Sequence, residues 1–117
     1  MSGESWAIIA NPVAGRSRAE RHAGLLASAI EQNGEPVDVS MTTGPGDAEE
    51  LARNAANAGA TRIVACGGDG TVHEVANGVA RHSEGLKRVA LGILPMGTVN
   101  VMARELRVPL DFEAAWR

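Results

Sequence analysis

Two apolar rhythms alternate along this chain. Short runs of consecutive or alternating apolar residues mark strands, and longer stretches with apolar residues every three or four positions mark helices. Trp6 to Ala10 is the first short run, and Asn11-Pro12 forces the chain out of it. From Ser17 to Asn33, the positions His22, Leu25, Leu26, Ala29 and Ile30 fall at helical spacing. Ser17 with Glu20 predicts a capping box at that helix's start, and Asn33-Gly34 predicts its stop. Val37 to Met41 alternates as a second strand. Asp47, with Glu50, is expected to cap a second helix that turns Leu51, Ala52, Ala55 and Ala58 inward and ends at Gly59. Arg62 to Cys66 is apolar on both faces, as a central parallel strand should be. The Gly67-Gly68-Asp69-Gly70 turn then leads into a third helix with Val72, Val75, Ala76 and Val79 on one stripe. Val89 to Leu94 makes a fourth strand broken by Pro95, and a fourth helix is expected from about Thr98 to Leu106, closed by Pro109.

Strand and helix in strict alternation predict an α/β fold: a three-layer, doubly wound parallel sheet of about four β-α units, Rossmann-like in its winding, with right-handed crossovers. The 117 residues amount to one domain and leave no room for a cleft between two lobes. The final stretch, Asp111 to Arg117, has the pattern of another helix's opening turns, so the chain is expected to be a piece of something longer.

Composition narrows the chemistry. Only three aromatic residues occur (Trp6, Phe112 and Trp116), too few for the stacking platforms that bind single-stranded nucleic acid. The net charge of −3 excludes a polyanion binder that works by bulk charge, so nucleic acid is not an expected partner. Any phosphate must be held locally, by backbone amides and a few side chains. The single cysteine, Cys66, allows no internal disulfide and fits a reducing compartment. No apolar run reaches the roughly 18 to 20 residues of a membrane span, and no basic, then apolar, leader opens the sequence. The expected location is cytoplasmic.

In a doubly wound sheet, ligands bind beyond the carboxyl ends of the strands. The four strand exits are residues 11–15 (Asn-Pro-Val-Ala-Gly), 42–47 (Thr-Thr-Gly-Pro-Gly-Asp), 67–71 (Gly-Gly-Asp-Gly-Thr) and 95–100 (Pro-Met-Gly-Thr-Val-Asn). All are rich in Gly, Thr, Asn or Asp, and the fold brings them to one edge. The third exit carries most of the signal, because its glycines let amides turn toward a phosphate at a helix N-terminus. No Gly-Lys-Ser or Gly-Lys-Thr follows, so it is not a Walker loop. The dinucleotide fingerprint would need a glycine at His73. Asp69 would repel phosphate unless a cation lay between them, which points to a phosphate-bound Mg²⁺. The competing reading is a tight turn in which Asp69 serves its own backbone.

Thr71 and Glu74 likewise have two readings, a capping box for the third helix or ligand contact. Thr42 and Thr43 stand either as helix-capping residues or against a ribose. Gly97-Thr98 opens the fourth helix as a second possible phosphate cradle, with Asn100 in its first turn as a polar contact or a local backbone partner. His22 and Cys66 read as packed residues. His73 is the histidine nearest the glycine loop. No CxxC, His/Cys pair or Ser/His/Asp set is present to support zinc or hydrolase chemistry.

Taken together, Gly67-Gly68-Asp69-Gly70-Thr71, Asn11-Pro12 through Gly15, and Leu94-Pro95-Met96-Gly97-Thr98-Val99-Asn100 resemble the diacylglycerol kinase catalytic domain, a superfamily that includes bacterial soluble lipid kinases, sphingosine kinases and ceramide kinases. The resemblance runs from about Trp6 to Pro109. It implies an ATP-binding lobe, with a fold like the NAD kinase N-terminal domain, whose nucleotide contacts fall on Asn11, Pro12, Val13, Ala14, Gly15, Thr42, Gly68, Asp69, Gly70, Thr71, Val72, His73, Glu74 and Thr98. The strand-exit reading adds Gly67, Gly97 and Asn100. The implied reaction moves the γ-phosphoryl group of ATP to a lipid hydroxyl, with Asp69 near the phosphates and an ATP-borne Mg²⁺.

Two departures stand out. Val101 replaces a second acid that many members carry after Asn100, which removes one polar contact, and His73 stands where many have Asn. In the family a second, β-rich domain follows, bringing the lipid pocket and the acid thought to deprotonate the lipid hydroxyl. The expected partners are therefore ATP and a lipid alcohol, with transient membrane contact in the full-length protein. Two other functions compete: an NAD kinase-like phosphotransferase, which also uses GGDGT, and a non-catalytic nucleotide-binding module.

Overall fold

The computed structural model describes residues 4–82 and 85–95. Four strands, β1 (Trp6–Ala10), β2 (Val37–Met41), β3 (Arg62–Gly67) and β4 (Ala90–Pro95), form one parallel sheet in the order β2-β1-β3-β4. The register pairs Ala10 with Met41 on one side and with Cys66 on the other, so three strands end level at one edge. Helix α1 (Ala14–Gln32) joins β1 to β2. Helices α2 (Asp47–Asn57) and α3 (Asp69–Ala80) follow β2 and β3, and a short α4 (Gly85–Arg88) precedes β4.

Side chains alternate along β1, and this splits the interior in two. Trp6, Ile8 and Ala10 pack with Val64, Cys66 and Leu94 against α1, through Ala19, Ala23, Leu26, Ala27 and Ile30. Ala7 and Ile9 join Ile63, Ala65 and Ile93 on the other face, under Ala48, Ala52 and Ala56 of α2 and Val72, Val75 and Val79 of α3. Helices therefore cover both faces, which is the expected doubly wound, three-layer α/β fold. The winding reverses between β1 and β3: one connection runs outward to β2, the other to β4. That reversal is the switch point at which such sheets open a crevice.

Several local expectations are corrected. α1 begins at Ala14, so Ser17 lies inside the helix rather than at its N-cap. Asn11 sets the start instead, its Oδ1 accepting from the Val13 amide at 3.2 Å and its carbonyl from the Ala14 amide at 3.1 Å. The inward face of α1 is made mostly of alanines, and Leu25 is 55% exposed. Small side chains bring this helix down onto the sheet, so hydrophobicity alone misplaced the stripe by one position. Ala58 caps the end of α2 and is exposed rather than inward-facing.

The α2 and α3 backbones approach closely. A Cβ on Gly78 would run into the Glu49 carbonyl and lie 2.8 Å from the Cβ of Ala52. Helix α4 was not marked by periodicity, being a single turn. The expected fourth helix lies outside the described residues.

Candidate functional site

Three strand exits meet at the switch point. The amide of Asn11 donates to the Cys66 carbonyl at 3.0 Å, tying the exit of β1 to that of β3. Thr42 continues the β2 pairing by donating its amide to the Ala10 carbonyl at 2.8 Å. Between these exits opens a cleft of about 430 Å³, lined by Asn11, Pro12, Val13, Thr42, Thr43, Gly44, Pro45, Ala48, Gly70, Thr71 and Glu74. Of the residues singled out in the sequence, the cleft thus gathers Asn11, Pro12, Val13, Thr42, Gly70, Thr71 and Glu74. Ala14, Gly15, Gly67, Gly68, Asp69, Val72 and His73 are not in its lining. Gly97, Thr98 and Asn100 lie outside the described residues.

The glycine loop contributes Gly70 and Thr71 to the floor of the cleft. Gly68 is the N-cap of α3, with extended backbone, and makes no side-chain capping bond; Asp69 is the helix's first residue. Thr71 is therefore already in the first turn, so the Thr71–Glu74 capping box does not form. None of Gly67, Gly68 or Gly70 has a positive φ. Glycine is required at Gly67 for another reason: a Cβ there would lie 2.7 Å from Thr71 Oγ1. Nothing lies within 4 Å of a Cβ built on Gly70, so that residue leaves open space at the mouth. Thr71 is 8% exposed and is the sole buried polar residue among those described. Asp69 and His73 are exposed, and Val72 is in the core, so only its backbone can face a ligand.

The second wall is the segment from Thr42 to Ala48. Gly46 caps α2 with φ 85°, a left-handed conformation that glycine adopts without a Cβ penalty. Asp47 is not the N-cap that the sequence suggested. Its carboxylate instead reaches back, accepting from the Thr43 amide at 2.8 Å and the Thr43 hydroxyl at 3.1 Å. The Thr43 hydroxyl is thereby engaged, whereas the Thr42 hydroxyl has no hydrogen-bond partner among the described residues.

Glu74 supplies what the Asp47–Glu50 box was expected to. Its Oε2 accepts from the Gly46 amide at 3.1 Å and its Oε1 from the Ala48 amide at 3.2 Å. A side chain of α3 thus caps α2, a long-range pairing that a local motif search could not find. At the other end of α2, Arg88 donates to the Ala56 carbonyl at 2.7 Å. Anion at the N-terminus and cation at the C-terminus both suit the helix dipole.

The three helix N-termini at this edge therefore differ. α2 has its amides taken by Glu74, while α1 and α3 have no side-chain cap. α3 therefore opens with amides free of a side-chain cap, beside the buried Thr71 and the open space at Gly70, an arrangement chemically suited to an anion. Among the described residues no three His, Cys, Asp or Glu side chains converge to hold a metal ion. Glu74 lines the cleft with both carboxylate oxygens on α2 amides, and Asp69 is exposed at the start of α3, outside that lining. Cys66 ends a strand just below the glycine loop, but burial pushes its thiol up to about 12 and its Sγ donates to the Ala19 carbonyl at 3.2 Å. It is not a nucleophile at neutral pH.

Comparison with known proteins gives consistent results. The family model described as "Diacylglycerol kinase catalytic domain" matches residues 5–117. A diacylglycerol kinase of Bacillus subtilis (strain 168) is 40% identical over 104 residues, covering 89% of this chain and 33% of that protein. A diacylglycerol kinase of Staphylococcus carnosus is 36% identical over 104 residues, with 89% and 33% covered. The crystal structure of a diacylglycerol kinase from Bacillus anthracis str. Sterne superposes with a TM-score of 0.74 at 32% identity, covering 97% of this chain and 40% of that one. The chain spans about a third of the length of the curated relatives it matches.

Proposed function

Since the chain belongs to the diacylglycerol kinase catalytic domain family, we propose that it is the ATP-binding part of an ATP-dependent lipid kinase. The observation that carries this reading is the convergence of three strand exits on one cleft at the sheet's switch point, with an uncapped helix N-terminus at its floor.

In this reading, the amides opening α3 and the Thr71 hydroxyl hold the phosphates of ATP. Asn11, Pro12 and Val13 on one side and Thr42 on the other flank the nucleoside. Gly70 leaves room for the phosphate chain. Ala14, Gly15, Gly68, Val72, His73 and Thr98 complete the contacts that the family resemblance implies, and Gly67, Gly97 and Asn100 are added from their places at the strand exits. Asp69 would hold a Mg²⁺ brought in with the phosphates, and the ion would supply charge neutralisation around the transferred group. The reaction breaks the bond from the γ-phosphorus to the β–γ bridging oxygen and forms one to the lipid hydroxyl oxygen, while the hydroxyl proton is taken up by a base. Neither the acceptor pocket nor that base is assigned to residues of this chain. Both are proposed to lie in a second, β-rich domain of the full-length protein.

The lipid alcohol is diacylglycerol or a sphingoid-like base, met by transient contact with a membrane surface. No helix among the described residues is long and apolar enough to cross a membrane. With one buried cysteine and no disulfide, a cytoplasmic location suits it.

The test is direct. The protein expressed at its full gene length, given radiolabelled ATP, Mg²⁺ and vesicles containing diacylglycerol or sphingosine, is expected to label a lipid. The 117-residue chain alone is expected to bind Mg-ATP weakly and to label none. Calorimetry showing no binding at millimolar ATP, together with no labelling by the full-length protein, would sink the proposal.

A further inference from the structure

We propose that Glu74 is a positioning residue, which seats the Thr42–Ala48 segment as a fixed wall of the cleft by capping α2 from α3. The inference rests on the nucleotide reading of the cleft above, but it concerns how that cleft is built.

The segment has little else to hold it. It is exposed from Thr43 to Gly46 and turns on Gly46 in the left-handed region. Asp47 closes it internally through Thr43. Ala48 at its end is buried in the core, and its hydrogen bonds to the rest of the site are the Thr42 amide at one end and Glu74 at the other. Glu74 is well placed for the task, because α3 is packed so closely on α2 that Gly78 has no room for a Cβ. One side chain therefore couples the phosphate floor to the opposite wall, and both of its oxygens are committed to backbone amides. A neutral side chain without an acceptor would leave two α2 amides unpaired and let the wall drift from the floor.

The experiment compares the unaltered 117-residue chain with E74A and E74Q, using residue-resolved amide hydrogen exchange, calorimetry with Mg-ATP and thermal melting. In the unaltered chain, the Gly46 and Ala48 amides are expected to be protected. In E74A that protection should fall about five- to tenfold, the loss of one helix cap, while the amides of Ala58 and Gly59 at the far end of α2 hold theirs. ATP affinity should fall by a similar factor. E74Q keeps one oxygen acceptor and should recover part of both, which a purely electrostatic role would not allow.

Unchanged exchange at Gly46 and Ala48 in E74A would overturn the positioning role. So would a loss of ATP affinity with protection intact, which would make Glu74 a direct ligand contact only. An unaltered chain that binds no ATP but loses protection in E74A would remove the nucleotide reading and leave the positioning of the loop standing.

Discussion

The two edges of the sheet are built on opposite rules. At the amino edge, polar side chains are matched to one another. Trp6 Nε1 donates to Glu35 at 3.0 Å, and the Arg62 guanidinium lies 5.2 Å from the Trp6 ring centroid. Glu4 accepts from the Thr61 hydroxyl at 2.7 Å and pairs with Arg62 at 3.1 Å, while the Ser5 amide donates to Thr61 Oγ1 at 2.9 Å. At the carboxyl edge, loops are rich in glycine, two helix N-termini go without side-chain caps, and the Thr71 hydroxyl faces a cleft. One edge spends its polar groups on holding strands together. The other commits Asn11, Asp47 and Glu74 to its own loops but leaves the amides opening α3 without a side-chain cap, and groups left open by the fold are the ones free to meet a ligand.

Substitutions can separate the edges. The largest effect is expected for Asp69→Asn in the full-length protein: lipid kinase activity should drop by about 10² or more, as for loss of a charge-stabilising group, with the melting temperature unchanged. Retained activity would make Asp69 a turn residue. Gly67→Ala comes next, because its Cβ meets Thr71 Oγ1; Mg-ATP affinity, read by calorimetry, should fall about tenfold, with a stability cost of about 1–3 kcal/mol from overpacking.

Arg62→Ala at the amino edge should do the reverse. Loss of an exposed ion pair and a cation–π contact costs about 1 kcal/mol in denaturant unfolding, with ATP affinity untouched. A weakened affinity there would mean that the edges are coupled. The smallest effect concerns Glu4, whose carboxyl is held below its ordinary value, first by the Thr61 hydroxyl and then by Arg62. A lowered folded value stabilises the native state above the unfolded value near 4.5, and that stabilisation disappears as the pH falls through the folded value. Unfolding curves of Glu4→Gln and the unaltered chain should therefore differ at neutral pH and converge in acid.

The fold was legible because its signals are local and periodic. Ile63-Val64-Ala65-Cys66 announces a central strand by being apolar on both faces, and Asn11-Pro12 and Gly59 punctuate their elements. The cleft was legible too, since parallel topology brings all strand exits to one edge and the glycine loop is a contiguous motif. What escaped was pairing at a distance. Asp47, Glu50 and Glu74 each have the chemistry of a cap, but which helix a carboxylate caps depends on how α2 and α3 pack, and that is written in Gly78 and the alanines of α2 rather than beside the caps. Leu25 misled for a related reason: a helix seated on alanines turns a larger residue outward.

The capping of α2 also bears on the order in which the chain is made. An 11-residue helix is marginal by itself. Its N-terminal partner, Glu74, is 26 residues beyond Ala48, and its C-terminal partner, Arg88, is 32 residues beyond Ala56. During synthesis α2 thus leaves the ribosome well before either of its caps, with frayed ends and an alanine face that has no α3 to meet. Closure of this half of the domain waits on residue 88, so nascent chains arrested before that point should show α1 and β1 formed while α2 is still open to protease.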